Sequence, residues 1–303
     1  MADQQKSRVL IWVVVGGGAF FLFVMAVFTL VYLSLRHQDK TQFAGFGDKI
    51  AVIDLEGVIL QSKPFITQLK KYADDDSIKA IIIHVNTPGG GAAASQEMYE
   101  TVKRLRVEKK KRIVAAVETV GASGGYYVAV GTDKIYANPA SIVGSIGVIA
   151  QWYNYGDLMR WAKIHDITLK SGELKDAGTP TREMTPTERV YMQGLIDDMF
   201  GQFVAAVAEG RKLPVDEVQK LASGRVWTGK QALPLKLVDQ LGTFQDAVND
   251  TAKAVGIHGE PTLVRPEKER HTAWDLLFGD LSEFWPERAK LMQTNVGFYY
   301  LWR

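Results

Sequence analysis

Hydrophobic positions follow two different regimes along this chain. Residues 9–35 (VLIWVVVGGGAFFLFVMAVFTLVYLSL) contain no charge at all. As a helix this stretch reaches roughly 40 Å, against a hydrocarbon core of about 30 Å, so it predicts one tilted N-terminal transmembrane helix. It is longer than the apolar part of a cleaved leader. Leu33, Leu35 and Arg36 also stand where a cleavage site needs small residues, so the segment reads as an uncleaved anchor. Lys6 and Arg8 in the short head favour a cytoplasmic N-terminus.

Beyond residue 47 the pattern changes to short apolar runs alternating with amphipathic stretches. Residues 50–55 (IAVIDL), 78–85 (IKAIIIHV), 113–118, 134–137, 142–150 and 167–170 read as strands. The second is apolar on both faces, as buried parallel strands are. Helices are expected at 65–73, 92–107, 126–130, 215–222 and 244–255. A long one is expected from Thr185, where TPTE gives a capping box with Pro in the first turn, to Arg211. This alternation predicts an α/β fold with mainly parallel strands and right-handed crossovers. The organisation is then a head (1–8), anchor (9–35), stalk (36–47), main domain (48–271) and an aromatic-rich tail (272–303). The tail carries Trp274, Phe278, Phe284, Trp285, Phe298, Tyr299, Tyr300 and Trp302. It reads either as a packing helix with a frayed end or as a contact with the membrane interface or another subunit.

Composition narrows the chemistry. The chain has 303 residues, is 47% hydrophobic and carries a net charge of +2, so it lacks the basic excess of a nucleic-acid binder. It has no Cys, which excludes disulfides, thiolate metal sites and a Cys nucleophile. The five His are scattered and no HExxH is present, so neither metal nor cofactor is expected.

Two glycine-rich turns each follow a predicted strand: Asn86-Thr87-Pro88-Gly89-Gly90-Gly91 and Gly121-Ala122-Ser123-Gly124-Gly125. In a parallel sheet both lie at carboxyl ends of strands, where α/β proteins place their sites. The second fits G-x-S-x-G, the strained turn that presents a nucleophilic serine. A His-dependent α/β-hydrolase would draw on His165, His258 or His271, none of which has a distinctive setting. The alternative base is a lysine, and Lys175, just after the strand expected at 167–170, is the candidate.

NTPGGG (86–91), GASGGYYVA (121–129), VGSIGVI (143–149), SGELKDAGTP (171–180) and GRVWTGKQALPLKLVD (224–239) together resemble the signal peptide peptidase A family over residues 48–255. These are membrane-anchored serine proteases with a core related to the crotonase and Clp-protease folds. With a single copy of the core, the chain is similar to the short bacterial form. The resemblance implies a Ser123 nucleophile, a Lys175 general base, an oxyanion hole from the N–H groups of Gly89 and Gly124, and Ser145 hydrogen-bonded to the lysine. Thr87 stands where many members have Ser. The resemblance also implies a homo-oligomer with active sites assembled between subunits. The expected substrates are hydrophobic peptides, remnant signal peptides above all. The expected location is the bacterial inner membrane, with the catalytic domain outside the cytoplasm. A free lysine titrates near about 10.4, so such a base must be desolvated, and activity should rise with pH. A membrane quality-control protease, a crotonase-like acyl-thioester enzyme and a catalytically silent scaffold remain as alternatives.

Overall fold

The computed structural model describes residues 48–266 and 298–302, together with Gly18, Phe21, Leu22, Phe23, Met25, Ala26 and Thr29. Those seven positions are helical and exposed, and the rest of the expected anchor lies outside the described residues. No helix among the described residues is long and apolar enough to cross a membrane. The chain divides into two units, Met1–Phe46 and Gly47–Arg303.

The second unit is built on a mixed sheet. Its parallel part runs β9 (Thr262–Val264), β1 (Lys49–Ile59), β2 (Ile78–Gly91), β3 (Arg112–Ala122), β4 (Lys134–Ala137) and β8 (Gln240–Leu241). Helices α1 (Lys63–Asp74) and α2 (Ala92–Glu108) connect β1 to β2 and β2 to β3. Alternate side chains of the central strands enter two different cores, which is why these strands are apolar throughout. Ile81, Ile83 and Val85 join Leu69, Val102 and Phe203 in the larger core. Ala80, Ile82, Val114 and Tyr136 pack against Ala247, Val248 and Ala252 of helix α8 (Phe244–Ala254).

The sheet forks at the carboxyl ends of β2 and β3. The two strands stay paired as far as Thr87 and Gly121. From Val120 to Ala122 β3 pairs with β5 (Ile142–Gly144), which in turn pairs antiparallel with β7 (Val226–Thr228). The glycine end of β2 is still held by β1 on one side. On the other it pairs antiparallel with β10 (Phe298–Leu301), whose far edge pairs with β6 (Ile149–Ala150).

Four sequence expectations change here. The NTPGGG segment is not a turn but the continuation of β2, because strands on both sides take up its backbone groups. The strand expected over 142–150 is broken into β5 and β6 at Ser145, which has φ 53°. Residues 167–170 form no strand, since nothing among the described residues pairs with them, and Ile167 and Leu169 are 85% and 96% exposed. The end of the tail is neither frayed nor a helix: residues 298–301 are part of the sheet, while 267–297 lie outside the described residues.

The long helix forms as the sequence indicates. Helix α5 (Pro186–Arg211) begins at Thr185, whose hydroxyl accepts from Glu188 N–H at 3.2 Å while the Glu188 carboxylate accepts from Thr185 N–H at 2.8 Å.

Candidate active site

Ser123 occupies the fork, between β3 and the short helix α3 (Gly124–Ala129). Its φ of 53° and ψ of −116° lie outside the regions open to ordinary residues, a conformation that costs about 1–3 kcal/mol and persists only when neighbours impose it. The restraints are visible. Ser123 N–H donates to Gly144 O at 2.7 Å, and Ser123 O accepts the Tyr127 N–H at 2.8 Å. Packing dictates the flanking glycines: a Cβ on Gly121 would lie 2.9 Å from Val117 Cγ2, and one on Gly125 would lie 2.5 Å from Thr87 Cγ2. The Ser123 hydroxyl is buried and has no hydrogen-bond partner. Leaving such a group unsatisfied costs about 1–3 kcal/mol, which calls for a functional explanation.

Beside the serine lies the glycine end of β2. Gly89 has φ +97°, and a Cβ on it would lie 2.5 Å from Gly124 N and overlap the Tyr300 carbonyl oxygen. A Cβ on Gly124 would collide with Ser95 Oγ and stand 3.1 Å from the same carbonyl oxygen. The Gly89 N–H, expected to help form an oxyanion hole, donates instead to Thr87 Oγ1 at 3.0 Å. Thr87 is fully buried, and its hydroxyl donates in turn to Gly57 O. In an antiparallel ladder the residue pairs that exchange N–H···O bonds recur at every second position. Trp302 N–H donates to Pro88 O at 2.8 Å, so the next such pair is Tyr300 with Gly90. The Gly90 N–H, rather than that of Gly89, therefore faces the Tyr300 carbonyl.

Lys175 lies in a one-turn 3-10 helix, Glu173–Asp176, and is exposed. Its neighbours are pinned. Asp176 accepts from Lys170 Nζ at 2.6 Å and from Arg182 at 2.9 Å, and Arg182 also holds Glu188 at the head of α5. Hydrogen bonds from Lys170 and Arg182 hold the Asp176 carboxyl down at about 2. Arg182 and the Thr185 N–H do the same for Glu188, also at about 2. Within one chain Lys175 makes no hydrogen bond to Ser123 or to Ser145. Ser145 is buried, and its own N–H donates to Arg225 O at 2.9 Å. The stretch leading to Lys175 exposes Tyr153, Leu158, Trp161, Ile164, Ile167 and Leu169. Exposed apolar side chains grouped in this way are the kind of surface that contacts bury.

No described histidine serves Ser123. His165 and His258 are exposed, and His271 lies outside the described residues. Asp54, Glu56 and His84 converge on the opposite face of the sheet from Leu55 and Val85, but the Arg265 guanidinium already lies against the Asp54 carboxylate, 2.6 Å from Oδ2.

A partnerless serine hydroxyl held in a strained turn at the fork of the sheet is the arrangement expected of a serine hydrolase. The model of Peptidase family S49 matches residues 105–258. A Synechocystis protein that carries a protease name is 40% identical over 210 residues, 69% of this chain and 75% of that protein. An Enterococcus faecium protein named signal peptide peptidase SppA is 38% identical over 62% of this chain and 55% of its own length. Protease 4 of Haemophilus influenzae is 30% identical over 72% of this chain but only 36% of that longer protein. The chain belongs to peptidase family S49, as its resemblance to signal peptide peptidase A implied, and is a serine peptidase.

Proposed function

We propose that this peptidase cleaves extended hydrophobic peptides with Ser123 as nucleophile and Lys175 of a neighbouring copy as general base. The observation that carries the reading is the isolation of the two groups in one chain: a buried hydroxyl with no partner and an exposed amine on a braced arm. A second copy covering the apolar surface at 153–169 would bury that arm and supply the desolvation that a lysine base requires.

In this mechanism Ser123 Oγ attacks the peptide carbonyl carbon while Lys175 takes its proton. The Gly90 and Gly124 N–H groups stabilise the oxyanion, an interaction worth about 10²–10³ in rate per donor. The C–N bond breaks, Lys175 returns the proton to the leaving amine, and a water activated by the same lysine releases the acyl group. Ser145 holds the lysine in place. The segment at 9–35 anchors the enzyme in the inner membrane, with its N-terminus in the cytoplasm and the catalytic unit outside. Remnant signal peptides are the substrates that this placement brings to it.

The test is hydrolysis of synthetic signal peptides by the full chain in detergent, with products mapped by mass spectrometry. Endoproteolytic products that vanish with Ser123→Ala support the reading. Intact peptides in the presence of a confirmed oligomer contradict it.

A further inference from the structure

The carboxyl ends of β1, β2 and β3 bring a second group of polar side chains together, on the face of the sheet that packs against α8. Asp54 and Glu56 project from β1, His84 from β2 and Glu118 from β3. One ligand atom from each of Asp54, Glu56 and His84 lies within 4.8 Å of the others. The His84 side chain is only 14% exposed and rests against the Phe244 ring, with centroids 4.8 Å apart.

Both ring nitrogens of His84 face carboxylates. Nδ1 stands 3.1 Å from Asp54 Oδ1, and Nε2 stands 3.8 Å from Glu118 Oε2. A neutral imidazole carries a proton on one nitrogen only, so the other turns a lone pair towards a carboxylate. Such a contact needs a cation. The Arg265 guanidinium supplies one positive charge, 2.6 Å from Asp54 Oδ2, against the three carboxylates of Asp54, Glu56 and Glu118. A divalent ion at Nδ1 answers both the lone pair and the excess of negative charge. It takes electron pairs from Nδ1, Asp54 and Glu56 and leaves the Nε2 proton facing Glu118, the outer carboxylate by which ligating histidines are oriented.

The spacing fits zinc. Atoms bound to one zinc ion at about 2.0–2.2 Å stand roughly 3.3 Å apart, close to the 3.1 Å between Nδ1 and Asp54 Oδ1. Glu56 is exposed and free to close the remaining distance. One imidazole with two carboxylates suits zinc(II) better than magnesium or calcium, whose sites are built from oxygen. No local motif signals the group, because Asp54 and His84 meet only through the pairing of β1 with β2.

We propose that Asp54, Glu56 and His84 bind a structural zinc(II) ion, with Glu118 orienting the imidazole and Arg265 as the cation that zinc displaces from Asp54. The ion ties β1 to β2 just before Gly57 and Thr87, whose hydrogen bond braces the glycine end of β2. It takes no part in peptide cleavage, so the site stands independently of the Ser123 chemistry.

The test titrates the full chain in detergent, stripped with a chelator at mildly alkaline pH, with zinc chloride and with cobalt(II) chloride. One ion should bind per chain, with visible absorption from cobalt held by nitrogen and oxygen. Zinc should raise the melting temperature by about 2 °C or more. His84→Gln keeps the other four histidines of the chain and should abolish both signals. Glu56→Gln, at an exposed position, should weaken binding at least about tenfold and serves if His84→Gln does not fold. Glu118→Ala should weaken it by about 10- to 100-fold. Arg265→Ala should strengthen it roughly two- to fivefold, since an exposed competing ion pair is gone. No stoichiometric binding by the parent at micromolar free zinc, the result a doubly protonated His84 would give, overturns the proposal. Binding that survives both His84→Gln and Glu56→Gln places the ion elsewhere and overturns it as well.

Discussion

The carbonyl oxygen of Tyr300 faces the backbone of Gly124, the residue immediately after Ser123, although the two lie far apart in sequence. A Cβ at Gly124 would stand 3.1 Å from that oxygen and collide with Ser95 Oγ. Under the proposed mechanism Gly124→Ala keeps the N–H but displaces it through this crowding, and should lose up to about 10²–10³ in kcat/KM, the value of one oxyanion donor. Steady-state kinetics on a peptide substrate, with circular dichroism as the control for folding, checks this.

Thr87 braces the other side of the site by linking Gly57 O to the Gly89 N–H. Thr87→Val keeps the shape but leaves the buried Gly89 N–H and the half-buried Gly57 carbonyl without this partner, at a cost of about 1–3 kcal/mol. Thr87→Ser keeps both bonds. The Val variant should melt several degrees lower and lose activity, and the Ser variant should retain both properties. Thermal unfolding and peptide hydrolysis measured side by side separate the two.

The arm that carries Lys175 is held by ionised carboxylates. Asp176 and Glu188 both titrate at about 2, below their ordinary 3.8 and 4.5. Depressed carboxylates contribute stability that is complete above their unfolded values and lost as pH falls through the folded ones. Backbone protection of residues 170–188 should thus hold above pH 4.5 and disappear towards pH 2. Arg182→Ala removes a partner of both groups and should move that loss to higher pH. Hydrogen exchange followed by mass spectrometry from pH 6 to 2 measures the shift.

Trp161 and Leu169 are 82% and 96% exposed in the single chain. If a second copy covers them, Trp161→Asp with Leu169→Asp should yield a folded monomer that cleaves no peptide. Sedimentation of the detergent-solubilised protein, read against its activity, checks this. An active monomer would contradict the between-copy site.

Much of this architecture was legible in the sequence. The apolar runs at 50–55 and 78–85 gave β1 and β2 because burial on both faces leaves no polar alternation. The capping residues Thr185 and Glu188 marked the start of α5 to the residue. Ser123 was legible because only small residues fit around a strained turn. Other features depend on distant partners that no local pattern encodes. The end of the tail becomes a strand only because β2 and β6 leave an open slot, and Phe-Tyr-Tyr-Leu by itself suits an interface equally well. Gly89 and Gly90 are adjacent and of one residue type; the ladder register and Thr87 decide which N–H faces the carbonyl. The segment at 167–170 has strand-like alternation but no edge to join among the described residues.

The central claim is that Ser123 of one copy is activated by Lys175 of another. The most direct measurement is fluorophosphonate labelling of co-assembled Ser123→Ala and Lys175→Ala chains, distinguished by mass. Each variant alone should stay unlabelled, since one lacks the nucleophile and the other the base. Lys175 is exposed and makes no bond to either site serine, so its loss should leave stability within about 0.5 kcal/mol of the parent. In the mixture, label should appear at Ser123 on the Lys175→Ala chain. Full labelling of the Lys175→Ala chain on its own, or none in a confirmed mixed oligomer, would contradict the claim.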